Sequence, residues 1–216
     1  WSEINSGSSN PDGLKQMIRE VANFAEDLQA IITEIQLDDG ERLTRGGELE
    51  RVKNGSILCM QKHVDAPQQI LLTGHLDTVF PDGSHFQKTA WFDDETLNGP
   101  GVADMKGGII VMLMALKALE KSSMAGKVGW KVMLSPDEET GSLASAPHLV
   151  EAAKNFDLGL TYEPALADGT LAGARKGSGN YSIHVKGVAA HAGRAFDDGR
   201  NAVVALSDIF VSLAAL

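Results

Sequence analysis

Four short stretches of this sequence carry residues suited to chemistry. They are His75-Leu76-Asp77, Asp104 inside a glycine-rich loop, Asp137-Glu138-Glu139, and Glu163 followed by Pro164. Gathered as bare charges, so many carboxylates would repel one another and take up protons. Divalent cations remove that conflict. One imidazole among the carboxylates suits Zn²⁺ or another transition metal, whereas an all-oxygen set would suit Mg²⁺ or Ca²⁺ better. Residues two apart on an extended strand share a face, so Asp77 can reach the far nitrogen of His75 and fix its tautomer. Adjacent Glu138 and Glu139 allow a division of labour. One carboxylate binds metal while the other stays free as a base for the attacking water. Taken singly, His-x-Asp is a weak signal and a Glu-Glu pair is usually a solvated turn. The argument lies in their agreement.

The elements that would bring them together can be read from periodicity. Asn10-Pro11 looks like a helix start, and Leu14, Met17, Ile18, Val21, Phe24, Ala25, Leu28 and Ile31 then recur at helical spacing. Residues 42–45 and 56–62 read as short strands, the second entered from the turn Asn54-Gly55. Residues 69–74 form an apolar run ending in glycine, as in a buried strand. Residues 80–100 are loop-rich. Residues 107–120 are apolar nearly all round and predict an interior helix. A strand over 128–134, a helix over 142–154 and a strand over 156–161 follow. This alternation predicts a largely parallel sheet with helices on its faces. Ligands of such sheets bind beyond the carboxyl ends of the strands. His75-Leu76-Asp77, Asp137-Glu138-Glu139 and Glu163 each follow a predicted strand, and Asp104 lies in the loop before the interior helix.

After about Leu171 the composition changes. The run AGARKGSG reads as a linker, residues 181–186 alternate as in an antiparallel strand with one wet face, and residues 199–216 begin a helix. A domain boundary is expected near Lys176, giving domains 1–176 and 177–216.

The chain has 216 residues, 43% hydrophobic and 22% charged, with 19 Lys+Arg against 29 Asp+Glu and a formal net charge of −10. That balance excludes a disordered tail or a fibre. The acidic excess argues against a nucleic-acid or anionic-membrane partner. Residues 107–119, the most apolar run, are too short to span a membrane. The single cysteine, Cys59, has no partner for an intrachain disulfide and reads as a small buried hydrophobe. The opening WSEINSGSSNPDG has no signal-peptide pattern and no initiating Met, and the end stops within a helical pattern without a cap. The expectation is a fragment cut or disordered at both ends. It is expected to be cytoplasmic, with a periplasmic or secreted location left open.

GHLDTV, GPGVADMKGG, SPDEETGS and YEP occur in the order and context of the M20 zinc metallopeptidases. The sequence resembles the glutamate carboxypeptidase branch of that family. Succinyl-diaminopimelate desuccinylases and acetylornithine deacetylases are more distant relatives. The resemblance runs from INSGSSNPDG to the end of the chain. It implies an α/β, phosphorylase/peptidase-like zinc exopeptidase catalytic domain with the start of an inserted α+β lid or dimerisation domain. Position by position, it makes His75 and Glu163 ligands of one zinc, Asp104 the carboxylate bridging two metals, and Glu139 a ligand of the other zinc. It makes Glu138 the general base and Asp77 the residue that orients His75. It also implies a cis peptide at Asp104-Met105. The second zinc's histidine lies in a C-terminal region that the sequence does not contain. His191, in GVAAHAG, matches the lid histidine that reaches a partner's active site and polarises the scissile carbonyl.

The expected activity is metal-dependent amide hydrolysis with two Zn²⁺, for which Co²⁺ or Mn²⁺ can substitute. The expected substrate is a small peptide or N-acyl amino acid with a free carboxylate, and the expected assembly is a homodimer through the lid. The alternatives are an N-acyl-amino-acid deacylase or desuccinylase of the same family, and an inactive binding module that kept the fold. His63, His85, His148 and His184 match no motif, and Met112 and Met114 read as core filling. Asn201 reads either as a substrate contact or as a helix cap.

Overall fold

The computed structural model describes residues 1–44, 46–174, 176–177, 179 and 181–215. Asn10 starts the first helix, α1 (Pro11–Phe24). Its side chain accepts the Gly13 N–H at 3.1 Å, satisfying one of the amides that a helix start leaves free. Leu14, Met17, Ile18 and Val21 lie along one stripe of α1 and are buried. The sequence pattern carries this helix on to Ile31, but it stops at Phe24. A 3₁₀ turn, Glu26–Leu28, still sends Leu28 into the core, and Gln29 at φ 52° ends the helical path. Ile31 and Ile32 instead open strand β1 (Ile31–Gln36). Their branched β-carbons suit that conformation.

The chain continues through β2 (Gly40–Leu43), β3 (Leu49–Val52), β4 (Ser56–Lys62) and β5 (Gln68–His75). The expected strand 42–45 is thus displaced towards its N-terminus, and Arg45 lies outside the described residues. Strands β2 and β3 form a two-stranded sheet. Two further short strands, β6 (Ala90–Trp91) and β7 (Leu97–Asn98), pair within the expected loop. Helix α2 (Gly107–Glu120), strand β8 (Val128–Ser135), helix α3 (Ala146–Ala153) and strand β9 (Leu158–Thr161) complete the alternation.

The main sheet has five strands in the order β1-β4-β8-β5-β9. Strands β8, β5 and β9 are parallel, but β4 runs antiparallel to both β1 and β8. The sheet is therefore mixed. The three expected parallel strands sit together at one side, joined through α2 and α3. The other side is closed by the antiparallel β1–β4 pair, connected through residues 37–55, which carry β2 and β3.

Alternation along the central strands divides the core between the two faces. Leu58, Met60, Leu72, Trp130, Val132 and Leu134 pack with α1 and α2 on one face. Ile57, Cys59, Leu71 and Met133 form a smaller cluster on the other, with Leu149 and Ala152 of α3 against it. Met112 is fully buried, whereas Met114 is exposed, so only the former fills the core.

The chain divides into two compact units, Trp1–Arg42 with Glu50–Lys176, and Leu43–Leu49 with Gly177–Leu216. Arg175 and Ser178 of the expected linker lie outside the described residues. In the second unit, Asn201 accepts the Val203 and Val204 N–H groups at 3.0 and 3.2 Å and caps helix α4 (Ala202–Ala214). The expected helix 199–216 is shorter than its apolar pattern, and Leu216 lies outside the described residues. The expected strand over 181–186 is absent. A strand needs a neighbouring ladder, and here only the isolated bridge between Val188 and Arg200 forms nearby.

Candidate metal centre

The parallel register aligns the strand ends: His75 of β5 stands opposite Ser135 of β8, and Thr73 stands opposite Thr161 of β9. Each strand then releases its acidic residues over the same edge. His75 is the last residue of β5, and its side chain is fully buried. Its Nδ1 lies 2.9 Å from the Asp77 carbonyl oxygen and 3.4 Å from Asp77 Oδ1. A proton on Nδ1 satisfies these acceptors and leaves the Nε2 lone pair for a metal. Nε2 lies 3.0 Å from Asp104 Oδ1, 3.6 Å from Glu163 Oε2 and 3.9 Å from Glu138 Oε2.

Close backbone packing builds this edge. A β-carbon at Gly74 would come within 2.4 Å of Met105 Cε, and one at Gly108 within 2.2 Å of the Tyr162 carbonyl oxygen. The first glycine lets the Asp104-Met105 loop lie against β5. The second lets the start of α2 lie against the residue preceding Glu163. The Asp104–Met105 peptide is cis, as the resemblance implies. Asp77 is also fully buried and accepts the Glu138 N–H at 3.2 Å and the Glu139 N–H at 3.1 Å.

His75, Asp104 and Glu139 each offer a ligand atom, and these atoms all lie within 4.8 Å of one another. One imidazole with several carboxylates fits Zn²⁺ or a similar ion. The electrostatics agree with this fit. Burial raises the Glu139 carboxyl to about 7, and the charges of Asp104, Asp77 and Glu138 add to the effect. Burial likewise raises Glu138, reinforced by Glu163, Asp77 and Asp104. Burial of His75 opposes its charge, but its bonds to Asp77 and Glu163 outweigh this and push its pKa up to about 11. Protons on these groups offset negative charge that a cation would otherwise neutralise.

The structure thus brings His75, Asp77, Asp104, Glu138, Glu139 and Glu163 to one edge. His191 belongs to the second unit, where it is exposed and its Nδ1 accepts the Gly193 N–H at 3.1 Å. Sequence reasoning missed two side chains. Ser8 donates its hydroxyl to Asp77 Oδ2 at 2.6 Å. Lys106 is buried among backbone carbonyls, and burial lowers its pKa to about 8. The Ser-Gly-Ser run before the Asn10 cap was the available signal for Ser8, but nothing in the sequence says that it meets Asp77.

Residues 71–206 match the model of peptidase family M20/M25/M40. The chain is similar to carboxypeptidase G2 from Pseudomonas sp. strain RS-16, at 35% identity over 143 residues, covering 66% of this chain and 34% of that protein. It is 27% identical over 171 residues to a succinyl-diaminopimelate desuccinylase from Nitrosospira multiformis, covering 73% of this chain and 44% of that protein. The matched region therefore spans less than half the length of either relative. Among solved structures, human carnosine dipeptidase 1 shares the fold with a TM-score of 0.59 at 20% identity, over 76% of this chain and 37% of that one. The M20 family metallo-carboxypeptidase Sso-CP2 from Sulfolobus solfataricus gives 0.56 at 18% identity, over 78% and 37%.

Proposed function

This chain belongs to peptidase family M20/M25/M40, and from that premise we propose that it carries most of the catalytic centre of a metal-dependent amide hydrolase. The observation that carries the reading is the crowding of Asp104, Glu138 and Glu163 around the buried Nε2 of His75, at 3.0 to 3.9 Å. His75, Asp104, Glu139 and Glu163 would hold two divalent ions, zinc foremost, with Co²⁺ or Mn²⁺ able to substitute. Bound there, the ions would supply Lewis acidity to the scissile carbonyl and to the attacking water.

The chain's own residues do the rest. Asp77 holds the His75 ring. Glu138, at the rim with its side chain 45% exposed, takes a proton from water as the oxygen adds to the carbonyl carbon. It passes that proton to the amine nitrogen as the C–N bond breaks. A carboxylic acid and an amine leave, so atoms and protons balance. His191 of a partner chain would polarise the same carbonyl across a homodimer.

The substrate is a small peptide or an N-acyl amino acid with a free carboxylate. The similarity to a carboxypeptidase favours the former, and the similarity to a desuccinylase keeps the latter in view. Assaying dipeptides and N-acyl amino acids with added zinc or cobalt separates the two. In the same assay, Glu138→Ala is expected to abolish turnover while metal stays bound. Near-normal kcat in that variant would overturn the assignment, and a wild-type chain that binds no metal would favour a non-catalytic module.

A further inference from the structure

The N-terminal segment runs beside the loop that carries Asp77. The Thr78 N–H donates to the Ser6 carbonyl at 3.0 Å, the Ser8 N–H reaches the Thr78 carbonyl at 3.4 Å, and Gly7 pairs with Thr78 in a parallel bridge. Only glycine allows so close an approach, because a β-carbon at position 7 would lie 2.4 Å from the Phe80 carbonyl oxygen. The segment is tied down on two sides. The Asn5 amide donates to the Phe80 carbonyl at 3.1 Å. The buried Lys106 ammonium donates to the carbonyls of Ile4 at 2.7 Å and Trp1 at 3.2 Å. Lys106 follows directly on Asp104-Met105, so the loop that carries one candidate ligand also anchors the segment that leads to Ser8.

The Asp77 carboxylate is held unequally. Its Oδ1 lies 3.4 Å from His75 Nδ1, beside the Asp77 carbonyl oxygen at 2.9 Å, and accepts the Glu138 N–H. Its Oδ2 accepts the Glu139 N–H and, at the shorter distance of 2.6 Å, the Ser8 hydroxyl. A short O–H to carboxylate bond is among the stronger hydrogen bonds a side chain can make. It acts here on the oxygen turned away from the imidazole, and so holds the carboxylate plane with the other oxygen towards the ring.

We propose that Ser8 is a positioning residue of the metal centre. Its hydroxyl fixes the rotation of the Asp77 carboxylate, and Asp77 in turn holds the His75 ring with Nε2 towards Asp104 and Glu163. The proposal rests on reading this edge as a metal centre. A serine that merely anchored the N-terminal segment would influence stability and leave the imidazole unchanged.

The test compares wild type, Ser8→Ala and Ser8→Thr in the full chain. In the metal-free protein, ¹H–¹⁵N spectra of His75 are expected to show one sharp, slowly exchanging Nδ1–H signal in wild type and Ser8→Thr. A shifted or mixed signal is expected in Ser8→Ala. Competition with a chromogenic chelator is then expected to show zinc affinity reduced about tenfold in Ser8→Ala, the lower end for partners that orient a ligand. Where hydrolysis is measurable, kcat should fall while KM stays within about twofold. Ser8→Ala with the wild-type His75 signal and wild-type zinc affinity would overturn the proposal. Zinc binding absent from wild type would instead overturn the metal reading, and the His75 spectrum, recorded without metal, would still decide whether Ser8 positions the ring.

Discussion

Two acidic places in the first unit are built in opposite ways. At the end of α2, Glu120 is mostly buried, and its charge is fully answered. Its Oε2 accepts from Lys62 Nζ at 2.7 Å and meets His63 Nε2 at 3.0 Å, and its Oε1 accepts the Trp130 indole N–H at 2.9 Å. Burial works against the charge, but Lys62, Trp130 and His63 outweigh it and hold the pKa down at about 2. At the strand ends, Asp77, Asp104, Glu138, Glu139 and Glu163 surround one imidazole, and the Glu139 carboxyl rises to about 7. The same fold therefore matches one acid with cationic partners in one place and sets five carboxylates against a single imidazole in another. That difference is the physical case for a cation at the strand ends, because carboxylates crowded around one buried imidazole repel one another.

The contrast can be broken most severely by removing metal. Chelation is expected to lower hydrolytic turnover by about 10³-fold or more, on the scale of losing a principal electrostatic contribution, with recovery on adding zinc or cobalt. Turnover that survives exhaustive chelation would leave the acidic surplus without a purpose. Next in size is the effect of metal on stability. Zinc at a hundredfold its Kd is expected to stabilise the fold by about 2.7 kcal/mol, read as a rise in Tm. Glu138→Gln, which removes one charge from the surplus, should leave much of that rise in place.

The Glu120 side of the comparison predicts a loss without metal dependence. Glu120→Gln is expected to cost about 1–3 kcal/mol at neutral pH, because it weakens a mostly buried, charge-assisted cluster. The folded pKa lies below the ordinary value of 4.5. The carboxylate's contribution is therefore fully present above about pH 4.5 and is lost as pH falls towards 2. Denaturation curves of wild type and variant should run parallel at pH 5–8 and converge below. A gap that persisted to pH 2 would show that the charge is not responsible. The smallest effect is expected at Glu151, whose bond to Lys154 is exposed on both sides. Glu151→Gln should stay within about 0.5 kcal/mol.

Much of this was legible in the residues. The cap at Asn10, the stripe of α1 and the strands β5 and β8 follow from local pattern. Helix α2 forms where its apolar run predicts, but Val111 and Met114 are exposed, so it buries one face and is not an interior helix. A wrong period or a missing cap would show within a few residues. The misread elements are those whose state depends on a distant partner. Ile31 and Ile32 continue the helical spacing of α1, but pairing with β4 makes them strand. Residues 181–186 alternate like a strand but have no ladder to join. The sheet is mixed, and not largely parallel, because β4 turns back on β1 and also pairs with β8, a choice made over some seventy residues of chain.

The sequence by itself determined which residue types follow each strand end, and therefore that carboxylates and one imidazole would meet if those strands ran side by side in one direction. It determined the glycines at 74 and 108 as identities without their reasons. Tertiary structure alone decided that β5, β8 and β9 are in register, that His75 is buried with Nδ1 against Asp77, and that Ser8 arrives from the N-terminus to hold the same carboxylate. The physical reason is range. Helical and strand periodicity are set by neighbours within a few residues, whereas the distances that turn six dispersed side chains into one acidic cluster depend on strand pairing and close backbone packing between segments far apart in the chain.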